Sequence, residues 1–178
     1  MSDEQSSLGL ESGTVRVVDY DAAWPRLFAE ERIRIQAVLG ADLPLSLEHS
    51  GSTAVPGLPA KPILDILAGF PPGASVLPYI EALVSAGYIH RGEQGIPGRQ
   101  FFRRGHPRAY HLHLAEREGS FWQDQLVFRD ALRANPELRD EYAALKMDLA
   151  RRFPRERETY TEGKSAFVLK VVASSRRP

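Results

Sequence analysis

Residues 48–67 read EHSGSTAVPGLPAKPILDIL, and the folding of this stretch decides the rest. Leu45 and Leu47 lead into it with the alternation of a short strand. Ser50-Gly51-Ser52 interrupts that strand, and Gly51 admits backbone angles that a side chain disfavours. Pro56-Gly57 and Pro59 form a rigid turn rather than a helix. Ile63, Leu64, Ile66 and Leu67 then read as a buried strand with Asp65 in its middle. Burying a lone ionised carboxylate is costly, so Asp65 has to be paired, protonated, metal-bound or turned toward a cleft. Strand alternation puts it on the face opposite Leu64 and Ile66. Two readings follow: an acid on the solvated face of a half-exposed strand, or a site acid facing a pocket beside the Gly-Ser turn.

The whole chain has 178 residues, enough for one well-cored domain with a helical extension. Lys plus Arg equals Asp plus Glu at 23 each, so there is no global basic field, which argues against a dedicated nucleic-acid binder. The absence of cysteine rules out disulfides, a thiol nucleophile and thiolate metal sites, and fits a reducing compartment. No apolar run approaches membrane-spanning length. The opening MSDEQSSLGLESG is acidic and polar, without the basic-then-apolar layout of a secretory leader. The expectation is a cytoplasmic protein with no membrane partner.

Residues 1–14 read as a loose tail rich in Ser, Gly and acids. Val15 to Val18 reads as a short strand. Trp24-Pro25 opens a helix whose Leu27, Phe28, Ile35, Val38 and Leu39 recur at helical spacing while Glu30, Glu31, Arg32 and Arg34 take the wet side, and Gly40 ends it. After the central stretch, Pro71-Pro72-Gly73 is a loop. A helix over about 75–86 is expected to pack Leu77, Ile80, Leu83 and Val84. Strands are expected over 88–93, 99–104 and 110–114; in the last, His111 and His113 share the face opposite Leu112 and Leu114. Ser120 reads as the cap of a helix to about Ala134, and Asn135-Pro136 restarts a second to about Phe153. Thr159-x-x-Glu162 has capping-box spacing ahead of a last helix. The order predicts an α+β core over 15–118, a helical part over 119–174 packed on it as a single domain, and a short tail over 175–178.

The segment GSTAVPGLPAKPILDI (51–66) resembles the signature of the GrpB family, a branch of the nucleotidyltransferase superfamily that includes DNA polymerase beta. YDAAWPRLFAEE (20–31), YHLHL (110–114), FRDALRANPELRDEYAALK (128–146) and YTEGKSAFV (160–168) resemble further GrpB segments, in the family's order. The resemblance implies an α/β fold of nucleotidyltransferase type: a mixed sheet flanked by helices, then a helical C-terminal part. In that superfamily a Gly-Ser turn precedes an Asp-x-Asp or Asp-x-Glu pair. Gly51-Ser52 and Asp65 match the turn and the first acid, while Leu67 stands where the second acid belongs. Two-metal phosphoryl transfer needs several oxygen ligands, so this departure bears on catalysis more than on fold.

The resemblance implies Asp65 as the catalytic, metal-binding acid and Gly51-Ser52 as a phosphate cradle. Tyr160 and Lys164 are implied as further groups for the phosphates of an NTP or another phosphorylated small molecule. From its own chemistry, Lys61 reads as a group that neutralises phosphate or pairs with an acid such as Glu48, and Arg99, Arg103, Arg129 and Arg133 are candidates for an anion wall. His111 and His113 are placed by strand order where the superfamily has a third acid. With His49 they form a candidate metal face for Mg²⁺ or Mn²⁺, and the nitrogen donors also admit Zn²⁺. For each residue the plainer reading is a packed, hydrogen-bonded or solvated side chain. Three functions stand open: transfer of a nucleotidyl group to a small acceptor, binding of a nucleotide or anionic metabolite without reaction, and a partner-binding role. The last is suggested by the family's occurrence as a domain fused to a coenzyme A biosynthetic kinase.

Overall fold

The computed structural model describes residues 8–176. In chain order it has α1 (Trp24–Leu39), β1 (Ser46–Ser50), a single 3₁₀ turn (Ser52–Ala54), β2 (Leu64–Phe70), α2 (Leu77–Ser85), β3 (Ile89–His90), β4 (Gln100–Arg104) and β5 (Tyr110–Glu116). Four helices follow: α3 (Ser120–Ala134), α4 (Pro136–Arg152), α5 (Arg157–Glu162) and α6 (Ser165–Ser175). The five strands form one mixed sheet in the order β1-β2-β5-β4-β3. Only β2 and β5 run parallel, and they pair Asp65 with His111 and Leu67 with His113.

The two faces of the sheet differ because side chains alternate along each strand. One face carries Leu64, Ile66 and Ala68 of β2 and Leu112 and Leu114 of β5, packed on Trp24, Phe28 and Ile35 of α1 and on Tyr79 and Leu83 of α2. Burying each such side chain contributes about 1.5–3 kcal/mol, so β2 is held in place by its leucines and isoleucine rather than by Asp65. The other face carries Asp65, Leu67, His111 and His113. Trp122 of α3 lies so close to Gly69 that a Cβ there would come within 2.6 Å of its ring. The C-terminal helices bury a second cluster in which Val55 and Leu58, from the proline-rich loop, meet Leu132 and Tyr142. The Tyr142 ring stacks on Phe167 with centroids 5.0 Å apart. That loop is thereby pinned between sheet and helices.

Helix boundaries follow their chemistry. Pro25 occupies the first turn of α1, and Gly40 closes it with φ 67°. The Asn135 side chain accepts a hydrogen bond from the Leu138 N–H at the start of α4.

Several expectations need correction. The loose-tail reading of residues 1–14 falls in part outside the described residues, but from residue 8 the chain is docked. Leu10 is buried and bridges Arg108, and the Gly9 N–H donates to the Pro62 carbonyl. The apolar Leu10 side chain outweighs the polar composition around it. Val15–Val18 makes only a single bridge, Val18 to Ala60. In α2 Leu83 is buried as expected, but Leu77 and Val84 are exposed and Tyr79 is buried in their stead. Gly119, not Ser120, caps α3. Thr159 lies inside α5, so its spacing to Glu162 is not a capping box. Residues 177 and 178 of the expected C-terminal tail lie outside the described residues.

Candidate functional site

The chain leaves β1 through Gly51 at φ 68°, turns through Ser52–Ala54 and returns in β2 at Asp65. A Cβ on Gly51 would stand 2.5 Å from Asp65 Oδ2. Glycine is therefore required twice here, for its left-handed φ and for the close approach of the acid. The Asp65 side chain is 29% exposed and meets two imidazoles from β5. His113 Nε2 is 3.3 Å and His111 Nδ1 3.5 Å from the same oxygen, Oδ1. Burial alone would raise the Asp65 pKa, but the hydrogen bonds and charges of the two histidines hold it well below the ordinary carboxylate range. Burial pushes His111 down to about 4, against the pull of Asp65. At neutral pH the pair is accordingly an aspartate beside a neutral His111. The remaining ring nitrogens, His111 Nε2 and His113 Nδ1, are buried without a hydrogen-bond partner.

Asp65 opens onto a cleft of about 550 Å³ between the sheet and the C-terminal helices. Gly51, Ser52, Lys61, Asp65, Tyr160 and Lys164 all line it, together with His111 and His113. Lys61 and Lys164 place their ammonium groups 5.1 and 4.6 Å from the centroid of the Tyr160 ring. Lys146, fully buried in α4, donates to the Pro59 carbonyl and reaches the same cleft. These three lysines repel one another in a poorly solvated space. Burial first, then Lys164, lowers Lys61 to about 7, although Asp65 opposes the shift. Burial lowers Lys164 to about 8, again against Asp65. Lys146 falls well below the ordinary lysine value through burial and then the charges of Lys164 and Lys61. Arg99 and Arg157 complete the cationic lining, while Glu158 and Glu162 stand exposed on the rim. Five basic side chains against Asp65 and two rim glutamates, in a chain without net charge, leave the cleft with a surplus of basic groups.

Two residues of the expected site lie elsewhere. His49 points from β1 to the opposite, core face, because it shares the alternation of Leu47. It stacks on Phe28 with centroids 4.8 Å apart and bonds Thr53 Oγ1 at 2.9 Å. Burial lowers its pKa to about 4. Arg129 does not line the cleft. It is closed into a network with Glu48 Oε2 and Asp130 Oδ1, each at 2.8 Å, and with the His49 carbonyl at 3.0 Å. Arg133 likewise bonds the Ala54 carbonyl at 2.8 Å. Lys61 does not pair with Glu48, whose partner is Arg129.

The expected metal face fares differently from the phosphate groups. Leu67, completely buried, supplies no second acid beside Asp65, and Glu48, opposite Leu67 in the register, is taken by Arg129. Among the described residues no group of three or more His, Asp or Glu is arranged to hold a metal ion. The donor set does not fit a pair of hard cations, which need several carboxylate oxygens. Sequence reading missed Lys146 and Arg157, both of which lie among charged helix residues with no local signal of burial.

The chain is similar to known proteins over most of its length. The family model described as GrpB protein matches residues 14–174. Glutamate-rich protein GrpB of Alkalihalophilus pseudofirmus is 34% identical over 171 residues, spanning 93% of this chain and 98% of that protein. UPF0157 protein YqkA of Bacillus subtilis is 34% identical over 164 residues, or 92% of this chain, which thus spans only 48% of that relative's length. The crystal structure of conserved protein GrpB from Enterococcus faecalis superposes with a TM-score of 0.80 at 33% identity, over 90% of this chain and 96% of that one. A structure of the Cid1 poly(U) polymerase with MgGTP bound matches with a TM-score of 0.51 at 12% identity, over 76% of this chain and 45% of that one. At that identity the likeness is one of fold.

Proposed function

The chain belongs to the GrpB family and has a nucleotidyltransferase-like fold, and from that premise we propose that its cleft binds a phosphorylated small molecule of the nucleoside triphosphate type. The observation that carries this reading is the basic lining: Lys61, Lys146 and Lys164 around Asp65, beside the Gly51-Ser52 turn. Each lysine is held in a state that an incoming polyanion relieves, because a phosphate offsets both the burial and the mutual repulsion that lower its pKa. Ser52 and the turn add a hydroxyl and backbone groups at the same end. The lysines supply the charge that divalent ions supply where several carboxylates are present, so the reading favours binding over two-metal nucleotidyl transfer.

The test is calorimetric titration of ATP, GTP, CTP and UTP, with Mg²⁺, Mn²⁺ or EDTA, into wild type and Asp65→Asn. Binding that survives EDTA is expected. Asp65→Asn should tighten it about tenfold, because the substitution removes the negative charge beside the phosphates. Metal-dependent binding lost in Asp65→Asn, together with pyrophosphate release on incubation with NTP, would replace this reading by nucleotidyl transfer. No binding under any condition would turn the search toward a protein partner.

A further inference from the structure

Away from the cleft, the buried and half-buried arginines among the described residues are paired with acids. Arg34 and Arg104 hold Glu31, Arg129 holds Glu48, Arg139 holds Asp140, and Arg176 holds Asp124. Beside the cleft the pattern reverses. Arg103 lies on β4 opposite His111 of β5 in the sheet register, with its guanidinium 5.4 Å from the Phe101 centroid. Arg108, buried after the Gly105–Pro107 turn, has among the described residues only a backbone partner for its guanidinium, the Glu11 carbonyl at 3.2 Å. Arg157 opens α5 and lines the cleft itself. The Nε of each of the three is buried and has no hydrogen-bond partner.

Their charges act on one another. Burial, then Arg157, Arg108 and Arg91, lowers Arg103 to about 10, and every charged group that shifts it is a cation. Arg108 is lowered by burial and by Arg157, with Glu11 opposing. Arg157 also acts on Lys61 and Lys164, so it links the two groups of cations. A structure with as many acids as bases gains nothing in stability from gathering unpaired guanidinium groups at the edge of a cationic cleft.

We infer that Arg103, Arg108 and Arg157 form a second anion subsite, adjoining the lysine-lined cleft and suited to a phosphate dianion gripped by guanidinium forks. The inference rests on the cleft reading for what fills the neighbouring space, while the subsite's own evidence is the arginine cluster. Its phosphate comes either from the far end of the same polyphosphate ligand or from a separate phosphate ester.

The experiment titrates inorganic phosphate and ATP into wild type, Arg103→Gln and Lys164→Gln, with thermal melts of each. Arg103→Gln should weaken phosphate binding at least tenfold and leave the melting temperature unchanged or higher, because it removes a repelled cation. If the phosphate belongs to a separate ester, ATP-saturated wild type still takes phosphate, and Arg103→Gln binds ATP within twofold of wild type. If both phosphates belong to one ligand, ATP blocks phosphate and Arg103→Gln weakens ATP about tenfold. Phosphate and ATP affinities unchanged in Arg103→Gln overturn the subsite, as does a wild type that binds no phosphate. In that case ATP binding lost in Lys164→Gln keeps the cleft reading. Conversely, phosphate binding lost in Arg103→Gln while wild type ignores ATP would keep the subsite and sink the cleft reading.

Discussion

Two acids on opposite faces of the sheet, Glu31 and Asp65, have been handled in opposite ways. Glu31 is 3% exposed and fully answered. Arg34 grips it with Nε at 3.0 Å and Nη2 at 2.6 Å, the Tyr88 hydroxyl donates at 2.6 Å, and Arg104 reaches it at 2.5 Å. Burial would raise its pKa, but the bonds from Arg34 and Tyr88 and the charge of Arg104 hold it down. The network joins α1 to the sheet and leaves no space. Asp65 has two imidazoles at 3.3 and 3.5 Å, longer than good charge-assisted bonds. It also opens to a cleft in which cations outnumber acids. Glu31 is an acid whose partners are complete. Asp65 and its neighbours keep an open cleft in which basic groups outnumber acids, and on the proposed reading a further anion completes them, which would separate a structural clamp from a binding site.

The sharpest way to break the comparison is Glu31→Gln. It leaves two half-buried guanidinium groups and the Tyr88 hydroxyl facing a neutral amide and should cost about 3 kcal/mol of folding stability, read by urea denaturation. Asp65→Asn should cost about 1 kcal/mol or less, because the leucines and isoleucine of β2 hold the strand. If Asp65→Asn proved the more destabilising of the two, Asp65 would be the clamp and the contrast would collapse.

A smaller effect is expected at Gly51. Gly51→Ala forces an L side chain into φ 68° and drives its Cβ against Asp65. The strained backbone costs about 1–3 kcal/mol, and the acid must shift away from His111 and His113. The expected result is a modest drop in stability together with loss of ATP binding. Normal binding in Gly51→Ala would mean that the turn does not shape the cleft.

This contrast between the acids was only half visible in the sequence. Asp65 stood out because a carboxylate interrupts an apolar strand, and the Gly-Ser turn before it needed no structure to be noticed. The histidines of β5 were readable by alternation. His49 was readable too, since it lies two residues from the core residue Leu47, but grouping it by residue type hid that signal. Glu31 looked like one more charge on the wet side of α1, because Arg104 and Tyr88, its distant partners, are more than fifty residues away in sequence. Lys146 has the same history: in EYAALKMDLARR nothing local tells that the Pro59 carbonyl lies above it. Periodicity reports which face is apolar. It does not report a polar group buried by a long-range partner, and both the clamp and the cationic cleft are built from such groups.

The smallest effect sharpens the comparison through pH. Lys61 and Lys164 titrate near 7 and 8 in the fold and near the ordinary lysine value of about 10.4 when unfolded. Between pH 7 and 9 the unfolded chain therefore binds more protons, and the stability of the ligand-free protein should rise with pH. Solvent screening of these half-buried groups keeps the gain near 1 kcal/mol, or about 2–4 °C in melting temperature. The window closes above pH 9, where Tyr88, Tyr142 and Tyr160, all raised by burial, favour the unfolded chain as it begins to ionise. ATP affinity should move the other way, falling severalfold from pH 7 to 9 as the lysines lose their charge. Glu31, whose pKa is lowered, contributes its stability throughout this range and loses it only on acidification, so it adds nothing to the slope. Opposite slopes for stability and affinity, both flattened in a Lys61→Gln/Lys164→Gln double variant, are the behaviour of a site that holds its cations in reserve for an anion. A flat stability profile with unchanged affinity would mean that these lysines keep ordinary pKa values, and that the cleft is no more poised for a ligand than the Glu31 network is.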